Sequence, residues 1–256
     1  MSKDFKEAFL NKKAFIAYLM AGDPDIELTR EYILTLDKAG ADIIELGIPF
    51  SDPIAEGRVI QNASLRGLRS NTTLDDVFHI SRTTVKEIKA SLVLMSYINP
   101  ILNYGYDEFF MQCRVCGIRG VIIPDLPFEE RMEIDRFRKK HGVFQIFLLA
   151  PTSSEERIIS VASEANGWIY LVSSMGVTGT RNQIDDGAEK ICALIRKYTS
   201  VPIAVGFGIH SRTQADNVRR YADGVIVGSA IVKIIEEHPL TATPYLTKYV
   251  HDLCHL

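Results

Sequence analysis

Two acidic residues stand where chemistry needs them. Glu45 lies in Ile43-Ile44-Glu45-Leu46, inside a short apolar run. Burying an unpaired carboxylate costs several kcal/mol, and desolvation raises its pKa. A carboxyl tuned that way can give or take a proton near neutral pH. The competing role is an ion pair with a lysine or arginine. No such cation is obvious at another strand end, which favours catalysis. Glu56 lies on the segment leaving the same run. A loop carboxylate is ordinarily solvated, and Glu56 gains weight only from that shared origin.

A second set of residues suits an anion. Gly206 and Gly208 follow a late apolar run, and Gly228 and Ser229 follow the next one. Glycines let backbone N–H groups approach a phosphate, and a helix start adds a favourable dipole. Gly179 can add a further N–H from the preceding connection. Glycines also simply end strands, but two such ends in the last two strands of a barrel favour phosphate. No G-x-G-x-x-G or Walker pattern appears, which argues against dinucleotides and nucleoside triphosphates. Tyr97 and Tyr170 sit near the ends of two other runs and add polar-tipped aromatics.

The groups that are missing narrow the reaction. A Schiff-base aldolase needs a lysine at a strand end. The lysines here, such as Lys38, Lys86, Lys139, Lys190 and Lys233, fall in helical stretches or near the termini. A metal aldolase needs clustered ligands, and of six histidines only His210 lies just beyond a strand end. No metal site is expected. Cys113 and Cys116 form a C-x-x-C with no second pair at zinc spacing, and they read as small buried apolar residues. Carboxylate acid/base work on a phosphorylated small molecule remains.

These residues must be carried by a regular frame. Eight short apolar runs without period-2 alternation recur: Ala14 to Leu19, Asp42 to Leu46, Leu92 to Tyr97, Gly120 to Ile123, Gln145 to Leu149, Trp168 to Val172, Pro202 to Val205 and Gly224 to Val227. Such runs read as strands buried on both faces, hence parallel. Helically spaced stretches separate them, from Thr29 to Ala39 through to Ala230 to Glu236. Eight strand–helix pairs in succession predict a (β/α)₈ TIM barrel, with the candidate residues at its C-terminal face. Gly47 to Thr73 is too long for an ordinary βα connection and reads as a long functional loop. Phe5 to Asn11 reads as an extra N-terminal helix covering the barrel's bottom. No linker divides residues 1–256, so one barrel domain is expected.

The chain has 256 residues, 46% hydrophobic and 24% charged, with a formal net charge of −3. The mild acidity argues against a general nucleic-acid binder. No apolar stretch approaches the roughly 18 residues of a membrane span. The start shows no signal-peptide pattern, and the four cysteines suit a reducing compartment. A cytoplasmic protein is expected.

The run Glu45-Leu46-Gly47-Ile48-Pro49-Phe50-Ser51-Asp52-Pro53-Ile54-Ala55-Glu56-Gly57 closely resembles the motif of the tryptophan synthase α-subunit family. So do Met20-Ala21-Gly22-Asp23-Pro24, Tyr97-Ile98-Asn99-Pro100-Ile101, Pro124-Asp125-Leu126-Pro127, Gly176-Val177-Thr178-Gly179, Gly206-Phe207-Gly208-Ile209 and Gly228-Ser229-Ala230-Ile231-Val232. The likeness runs through essentially the whole chain in order.

The resemblance implies retro-aldol cleavage of indole-3-glycerol phosphate to indole and glyceraldehyde 3-phosphate. Protonated indole serves as the electron sink, so no imine or metal is required. By likeness, Glu45 protonates indole C3 and handles the glycerol hydroxyl, while Glu56 holds the indole N–H. Tyr170, Tyr97 and Thr178 fall in the substrate site, and phosphate falls on Gly179, Gly206, Gly208, Gly228 and Ser229. The family also implies a β-subunit partner in an α2β2 heterotetramer. Pyridoxal phosphate then belongs to that partner, and this chain uses no cofactor. Pro49, Asp52, Asn99 and Pro127 would form the docking face, although Asp52 also suits a turn cap and the prolines suit loop rigidity.

The chain departs from the family pattern at three positions. Glu56 replaces the usual Asp, one methylene further out. Arg58 replaces the usual Pro, and Ser174 stands where some members have Arg. A misplacement of about 1 Å can cost roughly a hundredfold. Glu56 and Arg58 leave open a degenerate α subunit that binds and activates β without lyase activity.

Overall fold

The computed structural model describes residues 5–10, 12–172, 186–206 and 208–254. Eight parallel strands close into a barrel in sequence order: β1 (Ala14–Met20), β2 (Ile43–Gly47), β3 (Ser91–Met95), β4 (Gly120–Ile122), β5 (Phe144–Leu149), β6 (Ile169–Val172), β7 (Ile203–Gly206) and β8 (Gly224–Val227). β1 closes the ring on β8, with Ala14 opposite Gly224. All eight expected strands are present, each shifted by no more than two residues at an end.

α1 (Phe5–Phe9) lies across the barrel's bottom, and the other helices wrap the outside: α2 (Ile26–Ala39), α3 (Arg58–Arg69), α4 (Leu74–Thr84), α5 (Ile98–Tyr104), α6 (Tyr106–Val115), α7 (Met132–His141), α8 (Glu155–Glu164), α9 (Asp186–Ile195), α10 (Arg212–Arg219), α11 (Ser229–Glu237) and α12 (Thr243–Cys254). Several N-termini are fixed by their own sequence. Asp25 caps α2, Thr73 and Asp76 form a capping box on α4, and Ser211 and Gln214 do the same for α10.

Three helices go beyond the sequence expectation: α3, α5 and α12. The most consequential is α3, which occupies the second half of the segment between Gly47 and Thr73, expected as a long loop. Gly67 lies inside it, a residue that ordinarily lowers helix stability. Here the glycine is needed for contact. A Cβ at Gly67 would lie 2.5 Å from the Ala21 carbonyl oxygen and 2.7 Å from the Pro49 ring. The missing side chain lets α3 settle on the end of β1.

Side chains alternate between two cores. Outward residues such as Leu19, Leu46, Leu94 and Val227 pack under the helices. Inward residues fill the lower barrel, where Ile16, Ile43, Val93, Ile122, Ile146, Trp168 and Ile226 meet Phe5 and Ala8 of α1. Phe5 stands edge-on to Trp168 at 4.9 Å and lies 5.4 Å from Phe144. A Cβ at Gly120 or Gly167 would meet the Phe5 ring at 3.2 and 3.0 Å. The N-terminal helix therefore plugs the barrel's bottom, as its apolar spacing predicts. The opposite end is left for chemistry.

Candidate active site

Two residues above the lower plug, the interior changes composition. β1 presents Tyr18, β2 presents Glu45, and the two are register partners. β6 presents Tyr170 from across the barrel. These side chains line a cavity of about 250 Å³ at the C-terminal ends of the strands, with Met95 and Ile226 supplying apolar walls. Two glycines make the room. A Cβ at Gly47 would lie 2.2 Å from the Tyr18 hydroxyl, and one at Gly206 would lie 2.6 Å from the Tyr170 hydroxyl.

Glu45 is 1% exposed. Neither of its carboxyl oxygens has a hydrogen-bond partner among the described residues. Desolvation, followed by the negative charge of Glu56, pushes its pKa up to about 8. Burial alone lifts Glu56 to about 7. Both carboxyls line the same cavity. Two like charges facing one cavity disfavour joint ionisation, so the pair holds a proton near neutral pH. Burial also raises the Tyr18 and Tyr170 hydroxyls well above the usual tyrosine range, which keeps them as donors.

The segment that brings Glu56 over the barrel is fastened at several points. Phe50 exchanges two hydrogen bonds with Ser64 of α3, its N–H donating at 2.8 Å and its carbonyl accepting at 2.7 Å. Its ring stacks on Tyr97 at 5.2 Å. The Tyr97 hydroxyl accepts the Ala55 N–H at 2.9 Å, one residue before Glu56. Gln61 donates to the Glu56 carbonyl at 2.8 Å. Further along α3, Arg66 grips the buried Asp23 in a fork at 2.7 and 2.8 Å and reaches Glu236 of α11 at 2.7 Å. One guanidinium ties the β1 exit, α3 and α11 together.

Two helix N-termini face the cavity through Gly57, Arg58, Gly228 and Ser229. α3 begins after Gly57 and α11 after Gly228, and neither has a side-chain cap or an acid in its first turn. Their first N–H groups keep a partial positive charge that an anion would satisfy.

A sequence model of the family described as tryptophan synthase alpha chain matches residues 5–252. The chain belongs to the tryptophan synthase alpha chain family. It is 48% identical to the alpha chain of Petrotoga mobilis over 238 residues, covering 93% of this chain and 92% of that one. It is 44% identical to that of Lacticaseibacillus casei over 253 residues, covering 99% and 94%. Among solved structures, it is similar to a tryptophan synthase complex from Pyrococcus furiosus, with a TM-score of 0.88, 35% identity and full coverage of both chains. It is also similar to tryptophan synthase from Mycobacterium tuberculosis, with a TM-score of 0.90, 33% identity and 99% and 98% coverage.

Glu45, Glu56, Tyr170, Gly208, Gly228 and Ser229 line one cavity. Thr178 and Gly179 lie outside the described residues, as does Ser174. Gly206 is buried and does not line the cavity; its missing side chain makes space for Tyr170. Tyr97 likewise does not line the cavity and instead props the Glu56 segment. Asp125 accepts the Ile98 N–H at 2.9 Å and so caps α5. His210 is exposed and bonds Gly208 and Gln214, a local hydrogen-bonding role. Asp52, Asn99 and Pro127 are exposed, whereas Pro49 is buried against Gly67 and presents no surface in the isolated chain. Sequence reasoning misses Tyr18, because an aromatic in an apolar run reads as core.

Proposed function

We propose that the chain is the lyase subunit of a tryptophan synthase, cleaving indole-3-glycerol phosphate to indole and glyceraldehyde 3-phosphate. The observation that carries this reading is the Glu45 carboxyl, buried, without a partner among the described residues and facing a cavity it shares with Glu56. With a pKa of about 8, Glu45 holds its proton at pH 7. It gives that proton to indole C3, making a cationic ring. The bond from C3 to the glycerol carbon then breaks, and its electron pair neutralises the ring. The hydroxyl on that carbon loses its proton to the Glu45 carboxylate and becomes the aldehyde. The proton given and the proton taken balance, so the enzyme returns to its starting state.

Glu56 accepts the indole N–H and stabilises the charge as it develops. Fixed charge of this kind supplies about 3–4 kcal/mol in other transition states. Binding the N–H favours the ionised form of Glu56, while Glu45 stays neutral beside it. Tyr170 and Tyr18 form polar-tipped walls for the indole, and Thr178 remains a candidate contact by family likeness. Phosphate is read onto the backbone N–H groups near Gly208, Gly228 and Ser229, with Gly179 added by family likeness.

The whole of 1–256 is read as one barrel domain. It works in the cytoplasm, without its own cofactor, alongside a β subunit that uses pyridoxal phosphate. Asp52, Asn99 and Pro127 supply the exposed part of the docking face. No helix among the described residues is long and apolar enough to cross a membrane.

A lyase assay with indole-3-glycerol phosphate, reading glyceraldehyde 3-phosphate through a coupled dehydrogenase, tests this with and without a β subunit. Turnover that rises on adding β is expected, by population shift toward a closed site. Silence in both conditions, with β binding intact, would overturn the catalytic reading and leave an activator only.

A further inference from the structure

Arg58 lines the same cavity as Glu45, Gly208, Gly228 and Ser229, and it is the one lysine or arginine among the described lining residues. It is the first residue of α3 and is exposed. Further along the same helix, Arg66 is committed to acids, pairing with Asp23 and Glu236. No acid among the described residues pairs with Arg58. Nor does it neutralise the nearby carboxyl, since Glu56 is raised by burial with no cation offsetting the rise. The cavity's wall therefore has two acidic groups on the barrel side and an uncommitted guanidinium at the rim, beside two uncapped helix starts.

We infer that Arg58 is a substrate-binding residue that grips the phosphate of the substrate from the α3 side, opposite the backbone cradle at α11. The inference rests on the phosphorylated-substrate reading above and names a side-chain ligand where that reading has only backbone N–H groups. A guanidinium matches a phosphate with a fork of parallel donors, which lysine does not reproduce. The position also lets a charge act on substrate without altering the acid/base pair. α3 is tied to α11 through Arg66 and Glu236, so a phosphate held between Arg58 and Ser229 would bridge two helices whose spacing is already fixed.

The test uses Arg58→Ala and Arg58→Lys in the full chain, with glycerol 3-phosphate as a binding probe and indole-3-glycerol phosphate as substrate. Arg58→Ala is expected to weaken glycerol 3-phosphate binding and raise KM by about 5- to 20-fold, with kcat within about twofold. Arg58→Lys should recover part of the loss. Affinity of the wild-type chain should fall as salt rises from low to physiological levels, and that dependence should flatten in Arg58→Ala. Indole binding should be the same in all three proteins. Unchanged glycerol 3-phosphate affinity in Arg58→Ala would overturn the inference. So would equal weakening for glycerol 3-phosphate and indole, which would mean a general disturbance of the loop. The binding arm needs no turnover, so a chain without lyase activity still decides the role of Arg58 separately from the proposed reaction.

Discussion

At the lower end of the barrel, Ile16, Ile43, Trp168, Ala204 and Ile226 face inward and are sealed by Phe5 of the N-terminal helix. Two residues further along the same five strands stand Tyr18, Glu45, Tyr170, Gly206 and Gly228. Burial hardly distinguishes the layers: Ile43 is 0% exposed and Glu45 is 1%. What differs is filling. The lower layer is filled by apolar side chains, Ile16, Ile43, Trp168 and Ile226 the largest, and by aromatic rings from α1. The upper layer combines polar-tipped groups with glycines and leaves about 250 Å³ open. One period of a strand separates a layer that stabilises from a layer that stores an unfavourable carboxyl. Active sites commonly hold such destabilising groups because the surrounding core can bear them.

Exchanging the upper carboxyl should break function and spare the fold. Glu45→Gln is expected to lower kcat by about 10⁴-fold, at the upper end for acid/base groups, because one residue serves both proton transfers. Its stability should not fall, because an unpartnered carboxyl is removed. The pH dependence sharpens the point. Both Glu45 and Glu56 have pKa values raised in the fold, to about 8 and about 7, from 4.5. The folded chain then binds more protons than the unfolded chain between those values, so stability declines as pH rises from about 4.5 to 8. The contribution is on the order of a few kcal/mol. In Glu45→Gln the decline should shrink and finish near pH 7. Denaturant unfolding at several pH values reads it directly; an unchanged slope would mean that Glu45 is not held protonated.

Exchanging the lower layer should do the reverse. Trp168 is fully buried between Phe5 and Phe9. Trp168→Ala should destabilise by about 3–5 kcal/mol, through lost burial and a residual cavity. Below its melting transition the folded fraction should keep a near-normal KM. A large rise in KM, without matching loss of folded protein, would show that the two layers are coupled and that the contrast is too simple.

The contrast also governs how much is legible in the residues alone. The strands are legible because parallel strands buried on both faces leave unbroken apolar runs. The same property hides which residues face inward. Tyr18 and Phe15 look alike in the run, although one lines the cavity and the other packs outward. Glu45 is legible because a carboxyl in such a run costs too much to be there for packing. α3 is not, since Asn62, Ser64 and Gly67 weaken its helical pattern, and the need for Gly67 lies in Ala21 and Pro49, distant in sequence. Gly206 resembles a phosphate glycine because nothing local reveals the ring of Tyr170 behind it. Pro49, though part of a recognisable motif, is buried by the same α3 contact.

The smallest effect concerns the support behind the upper layer. Tyr97 does not line the cavity, yet its hydroxyl accepts the Ala55 N–H and its ring stacks on Phe50. Tyr97→Phe keeps the ring and removes only the acceptor. A single hydrogen bond of this kind contributes about 1 kcal/mol, so kcat/KM should fall by roughly fivefold as Glu56 loses one constraint on its backbone. Stability should change by a similar small amount. If Tyr97 instead touched substrate through its hydroxyl, the variant would weaken binding of indole-3-glycerol phosphate even in a Glu56→Gln background. If it acts only by holding Ala55, its effect should largely vanish there, because the carboxylate it positions is already gone. The double-mutant cycle therefore separates a wall of the site from a brace behind it.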